Sequence, residues 1–185
     1  VNCTGLWGNI AIDATRPEGP APEIPYPMLE HFLYHGRVQL DRYRNTLLNQ
    51  HSAKERTEAS HVPVWTEELV ANWSSGCGSG ALEGTYGRIH TRALEKALKQ
   101  TKGIQNGHVL VIGSLNPWVE ACLLHVGARE VTTLEYGKII SLHPKLKTMV
   151  PSEARDLYAA GSLPSFDAVV TYSSVEHSGL GRYGD

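Results

Sequence analysis

The stretch HVLVIGSLNPWVEACLLHVGAREVTTLEYG, residues 108–137, decides the fold. It opens on a short apolar run with β-branched residues that ends at Gly113 and Ser114, the pattern of a buried strand. The part PWVEACLLHVGA then turns to helical spacing, with a proline suited to the first helical turn and Gly127 to close it. A second strand, EVTTLEYG, runs out at Glu135. Working outward, KLKTMV predicts a third and weaker strand, and PSEARDLYAAG a further helix. FDAVVTYSS predicts the clearest strand of the set, with Ala168, Val169 and Val170 expected in the interior. Strands alternating with helices over short links predict an α/β chain with a parallel sheet covered by helices on both faces.

That architecture gives the loop ends a meaning. Open parallel sheets bind ligands outside the carboxyl ends of their strands, beside the point where strand order reverses. The first strand delivers Gly113, Ser114, Leu115 and Asn116 to that place, ahead of a helix N-terminus. Glu135 closes the second strand, where a carboxylate can accept hydrogen bonds from both hydroxyls of a ribose. Gly113 lets a backbone come close to a nucleoside. A dinucleotide would need G-x-G-x-x-G, and GSLNPW carries one glycine and then a proline, with no basic residue nearby for phosphates. A nucleoside cofactor without phosphates fits better, and S-adenosylmethionine is the common one.

The segments VLVIGS, VTTLEYG and FDAVVTYSSVEH together resemble the class I S-adenosylmethionine-dependent methyltransferases. The tail SSVEHSGLGRYGD and the upstream YGRIHTRAL are similar to a family within that superfamily, first described as Caenorhabditis proteins of unknown function. The resemblance covers roughly residues 84–185. It implies a Rossmann-like methyltransferase sheet, and about four of that superfamily's seven strands precede Asp185. The chain is therefore expected to be a piece of a longer protein or a shortened descendant, with an open sheet edge that could pair two copies. The resemblance places Gly113, Ser114 and Asn116 by the methionine part of the cofactor, Glu135 on its ribose and Tyr136 beside its adenine. Tyr86, Gly87 and Arg88 would close over the cofactor, with Arg88 on its carboxylate. Glu176 and His177 would emerge at the end of the last strand facing the transferred methyl group. His177, with an ordinary pKa near 6.5, would act as general base on a hydroxyl or amine, and Glu176 would orient it or bind substrate. A structural reading of that pair is a strand cap that tethers the following helix.

The N-terminal half differs in character. Residues 1–26 are rich in proline and glycine and predict an extended arm. Residues 27–83 predict a helical extension and a glycine-rich loop, ahead of the Rossmann-like domain at 84–185. Apolar residues from Leu29 to Leu48 recur at helical spacing, interrupted by Gly36. TEELVANW predicts a short helix with Thr66 as its N-cap. SSGCGSGALEG has four glycines but no following Lys-Ser or Lys-Thr, so it is expected to be a flexible loop rather than a phosphate cradle. YGRIHTRALEKALKQ resumes as a helix with an apolar face at Ile89, Ala93, Leu94, Ala97 and Leu98.

Composition narrows the partners. Seventeen basic against nineteen acidic residues give a net charge of −2, which disfavours nucleic acid and anionic membrane. No apolar run approaches the roughly 20 residues of a membrane span. The chain starts at Val1 rather than Met, which leaves room for a preceding segment. Cys3, Cys77 and Cys122 are too scattered for a disulfide framework, and Cys122, in an apolar helical pattern, is expected to be a buried free thiol. His31 and His35 lack an acidic third ligand, so no metal site is expected. The sequons at Asn2 and Asn72 point toward a secretory lumen, although seven asparagines yield about one such match by chance; a cytoplasmic setting is the alternative. Two functions follow. One is methyl transfer to a hydroxyl of a small molecule or glycan. The other is a degenerate fold of the same kind that serves as a non-catalytic interaction or scaffold domain, which the single-glycine loop favours.

Overall fold

The computed structural model describes residues 30, 33–37 and 62–175. The extended arm and most of the expected first helix lie outside them, as do Glu176 and His177. Within 33–37 the chain turns, with positive φ at Tyr34, His35 and Gly36, and His35 pairs with Glu30 at 3.1 Å.

The described chain is a mixed α/β fold with parallel strands and four helices. Strand β1 (Val64–Trp65) leads into helix α1 (Glu67–Ser79), then α2 (Arg88–Gln100), β2 (His108–Ile112), α3 (Trp118–His125) and β3 (Glu130–Leu134). Next come β4 (Ile140–Ser141), β5 (Leu146–Met149), α4 (Pro151–Ala159) and β6 (Ala168–Thr171). The main sheet has the order β5-β3-β2-β6, and every neighbouring pair is parallel. The chain therefore steps outward from β2 through β3 to β5, then crosses back to place β6 on the other side of β2. That reversal beside β2 is the switch point of an open parallel sheet. A second, two-stranded parallel sheet pairs β1 with β4. None of the described helices is long and apolar enough to cross a membrane.

The start of β2 is held by its neighbours' polar groups. Asp167 accepts the His108 N–H at 2.8 Å and returns its own N–H to the His108 carbonyl at 2.8 Å. The buried His108 ring lies against Phe166 and is 2.8 Å from the Thr132 hydroxyl. Phe166 and Asp167 thus fix where β6 begins to pair. β6 itself departs from the expected interior strand. It pairs on one side, with β2, and its outer edge is unpaired among the described residues, leaving Val169 58% exposed.

Helix α1 overturns a second expectation. Thr66 caps it as the sequence suggests, its hydroxyl accepting the Leu69 N–H at 3.1 Å. The helix then continues through the glycine-rich stretch to Ser79 instead of yielding to a loop, and ends at Gly80 in the left-handed region, φ +70°. Helical glycine costs up to about 1 kcal/mol each in propensity, and tertiary packing outweighs that cost here. Gly76 and Gly78 let α1 sit close to its neighbours: a Cβ at Gly78 would stand 2.4 Å from the His125 ring of α3. Between the two helices Cys77 and Cys122 form a disulfide, with Cα atoms 5.5 Å apart. Cys122 is therefore no free thiol. The bond spans 45 residues of chain, which by loop-closure entropy corresponds to about 4 kcal/mol of stabilisation.

One core unites these parts. Trp65, Val70 and Cys77 from the N-terminal side join Leu94, Leu98, Val109, Val111, Trp118, Leu123 and Val131 in a single cluster of buried residues that crosses position 84. On α2 the buried positions are Thr91, Leu94 and Leu98, so the inward face is rotated from the one expected: Ile89 is 82% exposed, and Ala93 and Ala97 face solvent. Thr91 takes the inward place because its hydroxyl donates to the Glu83 carbonyl at 3.0 Å, tying α2 to the preceding turn.

Candidate functional site

Three strand ends meet at the reversal. Ile112 is in register with Leu134 of β3 on one side and with Thr171 of β6 on the other. The next residue of each strand is therefore Gly113, flanked by Glu135 and Tyr172. Two residues that the sequence separates by twenty-two positions thus become neighbours. The Gly113 N–H donates to the Leu134 carbonyl at 2.9 Å, so the pairing persists to the last rung.

Gly113 has φ +74°, in the left-handed region where a side chain is strained. A Cβ here would also meet the Ser174 hydroxyl at 2.2 Å, and Ser174 Oγ donates to the Gly113 carbonyl at 2.9 Å. The glycine is needed first for the approach of the segment after β6. The turn from Gly113 to Pro117 is pinned from several directions. The Leu115 carbonyl accepts from the buried Trp65 indole at 3.2 Å, and the Asn116 carbonyl accepts from the Trp118 N–H at 2.8 Å. Pro117 sits at the N-cap of α3, one position before the first helical turn. Asn116 is exposed at the tip.

Ser114 is turned inward. Its hydroxyl is 2.9 Å from the Asn116 carbonyl and 2.9 Å from Oε2 of Glu120, while Thr133 donates to Glu120 Oε1 at 2.7 Å. Glu120 is fully buried, a carboxyl group at the centre of the fold directly behind the turn. Burial is the main reason its pKa rises, from 4.5 to about 7; the Thr133 and Ser114 hydroxyls oppose the shift and the negative charge of Glu135 adds to it. Glu120 is not among the site residues expected from the sequence. Its signal was there in an acid inside WVEACLL, on a helix whose other residues are almost all apolar.

Glu135 is buried at the end of β3, and its Oε1 accepts the Tyr136 N–H at 2.9 Å. On the β6 side, Tyr172 belongs to an aromatic group with Tyr86 and Trp118. Ring centroids lie 5.2 Å apart for Tyr86 and Tyr172, 5.1 Å for Trp118 and Tyr172, and 6.2 Å for Tyr86 and Trp118, the last two pairs edge to face. His90 Nδ1 is within hydrogen-bonding distance of the Tyr172 hydroxyl, at 3.0 Å. Tyr86 is thus brought to the switch point across the α2 turn. Gly87 forms the N-cap of α2, at φ +90°, and Arg88 opens the helix with its guanidinium on Glu83 at 2.7 Å, an exposed pair. Trp118 and Tyr172 were not foreseen, because their meeting depends on β6 crossing back beside β2.

A shallow groove of about 780 Å³ lies at the other edge of the sheet, between β5 and α4, with Leu146, Thr148, Met149, Glu153 and Leu157 in its lining. It is open, and it is separated from the switch point by β3. The strand ends around Gly113 therefore bring together more polar and aromatic chemistry than the groove does.

Against known proteins, residues 105–185 match the model of a family described as Caenorhabditis protein of unknown function, DUF268. That span runs from just before β2 through the whole switch-point side of the sheet. No curated protein and no solved structure matches the chain.

Proposed function

We propose that the chain is an S-adenosylmethionine-dependent methyltransferase acting on a hydroxyl of a small molecule or glycan. The observation that carries this reading is the pairing of Gly113 with Glu135 at the reversal of a parallel sheet, the arrangement that suits a ribose and a closely approaching nucleoside. Glu135 would hold the ribose hydroxyls and Tyr136 would flank the adenine. Gly113, Ser114 and Asn116 would border the methionine end through the turn they build, with Tyr86, Gly87 and Arg88 closing from the α2 side. Tyr86, the exposed member of the aromatic group, suits the cationic character of a sulfonium, since ring faces attract cations within about 6 Å, while the buried Trp118 backs it. When bound, the cofactor supplies an electrophilic methyl group. The protein's part is to position it, to exclude water and to accept the proton that the acceptor hydroxyl loses, the role assigned to His177 with Glu176 beside it.

A non-catalytic scaffold is the second reading, and the single glycine of the turn after β2, where a nucleoside loop usually carries more, favours it. Isothermal titration with S-adenosylmethionine and S-adenosylhomocysteine separates the two. Cofactor binding that weakens by about 1.5–3 kcal/mol in Glu135→Ala, the loss of charge-assisted hydrogen bonds, supports the enzyme. Silence toward both ligands from folded protein favours the scaffold.

A further inference from the structure

We propose that Asn72 carries an N-linked glycan and that the chain matures in an oxidising secretory compartment, where the Cys77–Cys122 disulfide forms. Two independent observations meet on α1. The first is the disulfide itself. Cys77 and Cys122 are both buried, 1% and 0% exposed, and lie at the contact between α1 and α3, with their Cα atoms within the normal span for a disulfide. Disulfides of this structural kind belong to secreted and luminal proteins, because the cytosol keeps thiols reduced.

The second observation is the placement of the sequon Asn72-Trp73-Ser74. The helix buries Val70 and Cys77, which at about 100° per residue lie within about 20° of each other around its axis. Asn72 lies about 160° from Val70 by the same count, on the far side of the helix, and it is exposed. A glycan there projects away from the core while Trp73 stays partly buried against it. The sequon is modified while the chain is still extended, so its helical state in the folded protein is no obstacle. The fold only has to leave the side chain outside, and it does.

Both steps balance with partners such a compartment contains. The Asn72 amide nitrogen attacks the anomeric carbon of a lipid-pyrophosphate-linked oligosaccharide. The C–N bond forms as the sugar–phosphate C–O bond breaks, and the lipid pyrophosphate leaves while the amide nitrogen loses a proton. The two thiols lose two electrons and two protons to the disulfide of a protein oxidant, which is reduced to a dithiol. Neither step depends on the proposed methyl transfer.

The test uses the protein isolated from cells that express it, alkylated under denaturing conditions before any reduction. It is then digested with and without peptide N-glycosidase in heavy-oxygen water. The expected result is a peptide spanning position 72 that appears only after the glycosidase, in its deamidated heavy-oxygen form, with Cys77 and Cys122 alkylated only after reduction. The Ser74→Ala variant in the same cells keeps Asn72 and should yield that peptide unmodified without the enzyme. An unmodified Asn72 in the wild-type protein overturns the glycan, whatever the cysteines do. Cys77 and Cys122 both alkylated without reduction overturn the compartment.

Discussion

Replacing Glu120 by glutamine should make the protein less sensitive to pH. In the folded state burial raises the Glu120 pKa from 4.5 to about 7. The unfolded chain, with its ordinary pKa, has already lost that proton above pH 4.5. Between pH 4.5 and 7 folding therefore takes up a proton, and the stability associated with Glu120 falls as pH rises through this window. Below it the penalty is absent, and above it the penalty is complete. At about 1.4 kcal/mol per pH unit, the shift corresponds to on the order of 3 kcal/mol. Glutamine keeps the shape and carries no charge at any pH in the range. Its carbonyl can accept from Thr133 while its amide donates to the Ser114 hydroxyl, which can turn its proton to the Asn116 carbonyl. Urea unfolding at pH 4.5 and pH 8, with the disulfide intact, reads the difference. With urea slopes of about 1–3 kcal/mol/M, the wild-type midpoint should drop by roughly 1–3 M relative to the variant. Comparison with the variant matters because other groups titrate nearby in pH. Burial holds His143 below its usual value, which makes its contribution grow as pH rises, the opposite sign. Two midpoints that move in parallel across the range would refute the buried-charge account of Glu120.

Two further outcomes follow from the site. Gly113→Ala places a Cβ at φ +74° and against Ser174, so thermal or urea unfolding should show a loss of about 1–3 kcal/mol; a neutral result would mean the turn can swing away from β6. His177→Ala should leave cofactor affinity nearly unchanged while slowing methyl transfer by roughly 10²–10⁴, and a large loss of affinity would remove it from the role of base.

The middle of the chain is legible because its local patterns agree with one another. The apolar run at Val109–Ile112, the helical spacing after Pro117 and the strand ending at Glu135 each have a strong period, and together they imply the parallel pairing that sets Glu135 beside Gly113. Features that depend on distant parts of the chain were not legible. Nothing local tells that Gly76 and Gly78 belong to a helix, since the close approach of His125 and the bond to Cys122 arise only after folding. The inward face of α2 is hidden for a related reason: Ile89 is more apolar than Thr91, but Thr91 has a carbonyl to bond in the turn beneath it. β1 and β4 are two residues each, too short to show any period. On β6 the apolar residues Val169 and Val170 suggest an interior strand, whereas among the described residues β6 pairs with β2 alone and Val169 is exposed. At the site, Glu135 and Tyr86 could be singled out in advance. Glu120 is marked in the sequence only as a lone acid inside WVEACLL, whereas Trp118 and Tyr172 are not marked at all, because their meeting depends on a contact between elements.

The most direct measurement is amide chemical-shift mapping of the labelled protein with S-adenosylhomocysteine. The account predicts shifts concentrated at the ends of β2, β3 and β6, in Gly113–Asn116, Glu135–Tyr136 and Tyr172–Ser174, and their disappearance in Glu135→Ala. Shifts confined to the groove along β5 and α4, or none at saturating ligand, would contradict it.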